Sequence, residues 1–274
     1  MRIVSLQPSV SITLEHLGCL DSLIACTRYC LDAVPSLRDR NLPVVHDSWT
    51  TTTDELSGLR PDLVIASVPY RNESLAAILK AGLPVLALAP RSLADIYNDV
   101  RLIASVVQAQ EQAEVIIASM RDAIEDTRNR FEASGIKRQL VYCEEWGKPL
   151  IHSQNWVKEL VEAAGGEFLG EPGAVTEAES IAHADPDVII MAWCGAGERV
   201  PLERTVEKRG WQQLRAVRHG GVFCIADELL NTPAPTLIGG LRALAAAMHP
   251  EIIGVPQGSG LRCIDFRAEP SKLM

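Results

Sequence analysis

The chain lacks the patterns that mark several common classes of protein. Its 7 cysteines include no C-x-x-C pair and their number is odd, which argues against both a disulfide framework and a zinc site. No run of Lys and Arg occurs and the formal net charge is −9, so a nucleic-acid groove, which needs cations to neutralise phosphates, is not expected. No stretch approaches the roughly 20 apolar residues that span a bilayer, so the chain is not expected to cross a membrane.

Sequence signatures of catalysis and of resident metals are missing as well. Neither G-x-S-x-G nor the Walker A motif occurs, and Gly195-Ala196-Gly197 lacks the third glycine of a dinucleotide-binding turn. Glu144 and Glu145 end a predicted strand, where adjacent side chains point to opposite faces and do not form an acid–base pair. The 6 histidines show neither H-x-H nor H-E-x-x-H spacing. The sequence therefore predicts no enzymatic activity, no metal site and no resident cofactor.

Short apolar segments alternate with helical patterns along the first hundred residues. The apolar segments are too short and too rich in β-branched residues for helices, which favours strands at Ile3–Leu6, Leu23–Thr27, Leu63–Ala66 and Pro84–Leu88. Such alternation is typical of a parallel sheet with helices on its faces. We therefore predict an N-terminal α/β lobe over residues 1–108.

A long segment without glycine or proline follows, from Leu93 to Ser134. Apolar residues recur in it at spacings of three and four, which fit one face of a helix. Ser92 is a natural N-cap and Gly135 a natural stop. Because an unbroken helix would be roughly 60 Å long, we expect a break near Gln108–Gln112 and a bridging helix over residues 109–135.

The first pattern returns beyond Gly135, beginning with a predicted strand at Gln139–Cys143. Pro186-Asp187-Val188-Ile189-Ile190-Met191-Ala192 echoes Pro61-Asp62-Leu63-Val64-Ile65-Ala66, and a short helical pattern precedes each copy. Residues 136–274 are therefore predicted to form a similar C-terminal lobe, with an extra tail over 255–274 in which Leu261–Phe266 could add a strand. The predicted fold class is α/β: two similar lobes with central parallel sheets flanked by helices, a long bridging α-helix, and a ligand cleft between the lobes.

Three segments of the chain resemble a known family. Ile3–Ser9, Leu59–Ala66 and Gly210–Val217 are together similar to the helical-backbone, class III substrate-binding proteins of ABC importers, and the similarity runs from about residue 2 to residue 250. The cobalamin-binding branch looks closest, through Asn72-Glu73 and Gly195–Pro201. The resemblance implies a monomer that captures a small molecule and delivers it to an ABC permease dimer. The ligand it implies is a corrinoid such as cobalamin, or an iron chelate such as a ferric siderophore or haem.

Two features keep a second function open. Family members are exported, which implies a periplasmic or cell-envelope location, but the apolar run at this N-terminus ends at Pro8, too early for a signal peptide. Most of the cysteines lie in apolar runs and suit a reducing compartment. The alternative is a cytoplasmic corrinoid- or haem-binding sensor or chaperone that is not coupled to transport. A nitrogenase-like oxidoreductase would need paired cluster-binding cysteines, which are not evident.

Aromatic side chains follow several of the predicted strands. In a sheet of this kind the ligand lies beyond the carboxyl ends of the strands. These positions are held by Trp49, Tyr70, Trp146 and Trp193. Flat, rigid rings bury a large area at little entropic cost and suit a planar ligand such as a corrin. Asp227 also follows a strand, and the resemblance places it where cobalamin-binding members have a polar cleft residue. Trp156 and Trp211, on predicted helical segments, are expected to pack instead.

The resemblance also implies a docking surface for the permease. In the importer family one exposed glutamate on each lobe meets arginines of the two permease subunits. Glu73 matches the pattern of the first lobe and Glu198 that of the second, with Glu203 as the substitute. The position of Glu73 has a local explanation too, because an acid in the first turn of a helix is favoured by the helix dipole.

Overall fold

Parallel strands and flanking helices make up the first part of the computed structural model, which describes residues 1–253 and 260–264. The chain divides into two compact units: Met1–Met120 with Thr232–Pro235, and Arg121–Asn231 with the described residues from Thr236 onward. The strands of the first unit are β1 Ile3–Ser5, β2 Leu23–Thr27, β3 Val44–Val45, β4 Leu63–Ser67 and β5 Val85–Leu88. Its helices are α1 Pro8–His16, α2 Arg28–Ala33, α3 Thr53–Ser57, α4 Asn72–Lys80 and α5 Leu93–Val107.

The sheet of the first unit has five strands in the order β3-β2-β1-β4-β5, and every pairing is parallel. Its strands lie where the apolar runs predict them. The core beside β1 and β4 is built from Val4, Leu6, Val64 and Ala66, with Leu56 of α3 and Ile78 of α4. All of β1 and all but the first residue of β4 are buried, as expected of parallel strands that are covered on both faces. Since β1 is central, its carboxyl end marks the place where the strand order reverses.

The predicted long helix breaks where expected. The hydroxyl of Ser92 accepts a hydrogen bond from the Asp95 amide and caps α5. Gln108 then takes a left-handed conformation, φ 59°, which ends α5 and lets a second helix, α6, run over Gln110–Ser134. Gly135 follows with φ 66°, a conformation that glycine adopts without steric cost. Helix α6 begins in the first unit and ends in the second, and so connects them.

The second unit contains the remaining described elements. Its strands are β6 Gln139–Gly147, β7 Leu150–His152, β8 Gly166–Phe168, β9 Val175–Thr176, β10 Val188–Met191, β11 Val222–Ile225 and β12 Leu261–Cys263. Its helices are α7 Asn155–Ala163, α8 Ala178–Ala184, α9 Leu202–Lys208, α10 Arg215–Arg218, α11 Leu237–Met248 and α12 Pro250–Ile253. The sheet order is β12-β11-β10-β6-β7-β9, and β8 pairs with β6 beside that path.

The second sheet has a parallel centre, as predicted, and antiparallel strands at its margins. Strands β8, β6, β10 and β11 are parallel neighbours, whereas β7, β9 and β12 pair antiparallel at the margins. Strand β6 continues four residues beyond the predicted end at Cys143, because its second half forms a hairpin with β7. Glu144 and Glu145, which follow Cys143, suggest from the sequence that the strand has ended. In the structure both lie within β6, which continues into the hairpin with β7.

The repeated Pro-Asp dipeptide has the same structural role in both units. The carboxylate of Asp62 accepts a hydrogen bond from the Arg2 amide at 2.7 Å, just before β1. The carboxylate of Asp187 accepts one from the Leu140 amide at 2.8 Å, at the start of β6. Each aspartate therefore ties the start of its own strand to that of the neighbouring central strand. The sequence echo thus reflects a repeated strand pairing.

The tail and the two packing tryptophans follow the predictions in part. The predicted tail strand forms over Leu261–Cys263, antiparallel to β11, while the last two of its expected residues lie outside the described residues. Trp156 lies on α7, is buried, and donates its indole N–H to the Leu230 carbonyl. Trp211 is fully buried as expected, but it follows the turn after α9 and does not lie on a helix.

Candidate ligand-binding site

The loops at the carboxyl end of the first sheet are held together by backbone and side-chain hydrogen bonds. The Ser48 amide donates to the Leu6 carbonyl, and the Arg71 amide donates to the Ser48 carbonyl. The Ser74 hydroxyl reaches the carbonyl of Trp49 at 3.3 Å. These bonds place the loop after β3 beside the loop after β4. The predicted residues Trp49 and Tyr70 therefore belong to one edge of the sheet.

Trp49 is the more prominent of these two aromatic residues. Its side chain is 51% exposed, although the backbone around it is fixed by the Asp47 carboxylate, which accepts bonds from the amides of Trp49 and Thr50. An exposed indole on an ordered turn is a rigid apolar surface that is available to a ligand. Tyr70 is half-buried and follows β4, as expected.

The sequence reasoning missed a second aromatic residue at this edge. Tyr29 comes two residues after the end of β2 and is 44% exposed, and the guanidinium of Arg28 lies 5.2 Å from the centre of its ring. The rule that identified Trp49 would have found Tyr29 too. In the structure the chain enters α2 directly after β2, so Tyr29 lies in the first turn of a helix as well as beside a strand end.

In the second unit, Trp193 lies in a network around a buried carboxylate. Its indole N–H donates to Glu144 Oε1 at 2.6 Å, and the Tyr142 hydroxyl donates to Glu144 Oε2 at 2.7 Å. Arg209 forms a bidentate pair with both oxygens, at 2.7 and 2.9 Å. Glu144 has no exposed surface. The indole N–H of Trp193 is therefore bonded within the second unit, and its partly buried ring packs against the core of that unit.

The β6–β7 hairpin passes close to the Trp193 ring. A Cβ atom at Gly147 would lie 2.5 Å from that ring, so only glycine fits at this position. Trp146 precedes it within β6, and not after the strand as predicted, because β6 extends into the hairpin. Its side chain is 44% exposed, and its indole N–H donates to the Lys148 carbonyl at 2.9 Å. Trp146 therefore presents an anchored aromatic ring to solvent.

Asp227 organises the loop that follows β10. Its two carboxylate oxygens accept hydrogen bonds from the amides of Gly195 and Gly197, at 2.8 and 2.7 Å. Arg262 of β12 fixes the far side of this loop by donating to the Glu198 and Val200 carbonyls. Asp227 thus lies beside the Trp193 loop, and its carboxylate shapes that loop. The arginine from the tail had no signal in the sequence.

The two adjacent glutamates of β6 point to different surroundings, as predicted. Glu145 accepts a hydrogen bond from the Gln154 side chain at 2.8 Å, away from the Glu144 network. Burial raises the pKa of the Glu145 carboxyl, and the bond from Gln154 opposes that shift. The pKa of buried His152 is lowered by desolvation, against the influence of Glu144. Within the described ranges, no group of three or more His, Cys, Asp or Glu side chains could hold a metal ion.

The candidate docking glutamates follow corresponding strands of the two units, β4 and β10. Glu73 is the second residue of α4, shortly after β4, and its exposed side chain lies 3.8 Å from Arg71 Nε. Glu198 is exposed in the loop after β10. Glu203, the substitute, is half-buried in the first turn of α9. Helices long and apolar enough to cross a bilayer are absent from the part of the chain that the structure describes.

Comparison with known proteins gives a consistent picture. The family model described as periplasmic binding protein matches residues 3–229. An uncharacterized ABC transporter substrate-binding lipoprotein of Bacillus subtilis is 26% identical over 261 residues, which cover 91% of this chain and 80% of the relative. A cobalamin-binding protein of Halobacterium salinarum is 23% identical, over 90% of this chain and 69% of that protein.

Solved structures share the fold at low sequence identity. A periplasmic heme-binding protein from Pseudomonas aeruginosa superposes with a TM-score of 0.85 at 20% identity, over 96% of this chain and 98% of the other. The periplasmic vitamin B12-binding protein of Vibrio cholerae gives a TM-score of 0.72 at 20% identity, over 90% of this chain and 95% of the other. The similarity to these proteins lies in the α/β architecture, with a long helix that connects the two units.

Proposed function

Because the chain belongs to the periplasmic binding protein family, we propose that it captures a corrinoid or an iron chelate such as haem and delivers it to an ABC importer. The observation that carries this proposal is the exposure of aromatic rings beside the carboxyl ends of strands in both units. Trp49 and Tyr29 provide them in the first unit and Trp146 in the second. Rings that remain exposed on ordered backbone favour a large, flat, partly apolar ligand.

Trp193 and Asp227 have a different part in this proposal. Their polar groups are already bonded within the second unit, to Glu144 and to the loop amides of Gly195 and Gly197. Trp193 therefore offers a ring face to the ligand and no hydrogen bond. Asp227 contributes mainly by fixing the loop, and Tyr70 adds a half-buried ring in the first unit.

Delivery to an importer is favoured over a cytoplasmic sensor by the relatives. The Bacillus subtilis relative is described as a substrate-binding lipoprotein of an ABC transporter, and four fifths of its length is matched. The family is described as periplasmic binding protein, so we propose that the protein acts in the periplasm or cell envelope. The cobalamin-binding and heme-binding relatives support the two ligand classes equally well.

Calorimetry with cyanocobalamin, cobinamide, haem and ferric siderophores tests the proposal directly. We expect saturable binding of at least one of them, with micromolar or tighter affinity. Replacing Trp49 or Trp146 with Ala should weaken that binding by roughly 1–3 kcal/mol, as for a stacking anchor. Val115→Ala is the control, since Val115 is an exposed apolar residue within helix α6 and does not follow a strand. Absence of heat with every one of these ligands would contradict the proposal.

A further inference from the structure

The amino end of α1 lies at the carboxyl end of the central strand of the first unit. Strand β1 ends at Ser5, and α1 begins three residues later at Pro8, between the ends of β2 and β4. The N-cap residue Gln7 makes no side-chain capping hydrogen bond, and its side-chain amide donates to the Pro69 carbonyl at 3.0 Å. The Val10 amide donates to the Gln7 backbone carbonyl at 3.2 Å, so Ser9 carries the first-turn amide that a side-chain cap would otherwise serve. No acidic residue in the first turn offsets the positive end of the helix dipole.

Ser9, in that first turn, has a buried hydroxyl without a hydrogen-bond partner among the described residues. Only 5% of the residue is exposed, and its carbonyl is used by the Thr13 hydroxyl at 2.8 Å. The nearby buried hydroxyls are paired, since Ser11 donates to Ser5, and Ser5 donates to the Gln7 carbonyl. Cα–Cβ bonds in a helix tilt toward its amino end, so the Ser9 side chain leans toward the same end of α1 as its own backbone amide.

An arginine follows each of the two strands beside β1, and one of them, Arg71, lies 3.8 Å from the Glu73 carboxylate. Arg28 directly follows β2, and Arg71 comes four residues after β4, so the ends of the strands on both sides of β1 carry a cation. Both side chains are exposed. The loop of Arg71 is tied to the helix start by the bond from Gln7 to Pro69. A helix start without a side-chain cap, a buried free hydroxyl and a cation after each neighbouring strand are all complementary to negative charge.

We propose that the amino end of α1, with Ser9, Arg28 and Arg71, is a subsite for an oxyanion carried by the ligand. This inference rests on the proposed function and adds the chemical class of one ligand group. Haem carries two carboxylates and cobalamin carries a phosphodiester, and both offer negatively charged oxygens to amide and hydroxyl donors. The aromatic rings then hold the flat part of the ligand, and this subsite fixes its orientation.

Nuclear magnetic resonance of the ¹⁵N-labelled full chain tests the subsite with inorganic phosphate alone. We expect saturable shifts of the Ser9 and Val10 amides that sodium chloride at equal ionic strength does not reproduce. Ser9→Ala should weaken phosphate binding about tenfold, because a hydrogen bond to a charged group is lost. Ser105→Ala is the control, since the Ser105 hydroxyl is exposed on α5 and donates to the Arg101 carbonyl. Phosphate that leaves both amides unmoved would overturn the proposal.

Paired ligands separate the two sources of the oxyanion. If carboxylates occupy the subsite, haem should bind more tightly than its neutral dimethyl ester, and Ser9→Ala should reduce that difference about tenfold. If the phosphodiester occupies it, the same should hold for cobalamin against cobinamide, which lacks that group. Equal binding within both pairs, unchanged in Ser9→Ala, would overturn the subsite and leave the proposed function standing. If phosphate binds at Ser9 but the protein binds neither cobalamin, cobinamide, haem nor a ferric siderophore, the subsite would be supported and the proposed function refuted.

Discussion

Glu144 has no solvent-exposed surface, so neighbouring groups must compensate its charge in place of water. The bidentate pair with Arg209, whose side chain is 10% exposed, supplies the opposite charge. Tyr142 and Trp193 donate the remaining hydrogen bonds. Burial and the adjacent Glu144 carboxylate both raise the pKa of the Tyr142 hydroxyl, which keeps it protonated as a donor. The network thereby links β6, the Trp193 loop and the residue that follows α9.

Arg209→Met should destabilise the protein strongly. The substitution keeps the volume of the side chain but leaves the Glu144 carboxylate buried without its counter-charge, which typically costs about 3–5 kcal/mol. Urea denaturation measures this as a loss in the free energy of unfolding. The control is Arg101→Met, which breaks the exposed pair with Glu114 and should cost less than about 1 kcal/mol. Equal losses for the two variants would show that burial of the Glu144 pair has no energetic consequence.

The hydrogen-bond network around Glu144 could not be predicted from the sequence, whereas the position of some single residues could. Trp49 could be identified because a short apolar strand precedes it, and the structure places it at that strand end. Glu144 could be assigned only a direction, by the alternation of side chains along a strand. Arg209 is 65 residues away and carries no local pattern that connects it to Glu144. Contacts between distant segments are decided by packing, which periodicity does not describe.

The break between α5 and α6 shows how one residue sets the bounds of two helices. Gln108 holds a left-handed conformation that costs a residue with a Cβ atom about 1 kcal/mol relative to glycine. The sequence predicted a break here from the length of the pattern, since 42 residues (93–134) would make an implausibly long helix. It offered no glycine at which to place the break, so the position could be given only within a few residues.

Gln108→Gly should therefore raise the free energy of unfolding by about 0.5–1 kcal/mol, measured by thermal or urea denaturation. Gln112→Gly is the matched control, because the same substitution inside α6 should lower stability by about 1 kcal/mol through lost helix propensity. Stabilisation by both substitutions, or by neither, would be inconsistent with a left-handed residue at 108 and a regular helix at 112.

The two units share a common plan. In the first, the strands lie in the order β2-β1-β4-β5, and in the second β8-β6-β10-β11 are parallel neighbours in the same chain order. Asp62 and Asp187 fix equivalent strand starts. The sequence revealed this repeat through the Pro-Asp echo combined with the matching order of predicted elements. It did not reveal the added antiparallel strands of the second unit, because β7, β9 and β12 are short and their pairing depends on the loops that bring them to the margins.

Because the two units share one plan, the candidate docking glutamates can be tested as a pair, with one glutamate in each unit. Glu73 and Glu198 follow the equivalent strands β4 and β10, and both side chains are exposed. If the two units meet the two subunits of a permease, charge reversal at both positions should abolish association with the permease and transport. The introduced arginines would repel the permease arginines that the glutamates are expected to meet. Ligand affinity in solution should not fall, because neither side chain belongs to the proposed aromatic surface and reversal at Glu73 only adds positive charge beside Arg71. Association is measured by co-purification with the permease, and ligand affinity by calorimetry.

Glu111→Arg combined with Glu132→Arg is the matched control for this double variant. It changes the net charge equally and places one reversal in each unit, at exposed positions of α6. The control should still associate with the permease, which separates a specific contact from a general effect of charge. Normal association of the Glu73→Arg, Glu198→Arg variant would exclude these glutamates as the docking pair. Loss of ligand affinity in that variant would instead place at least one of them at the ligand, and single reversals at each position would identify which unit is responsible.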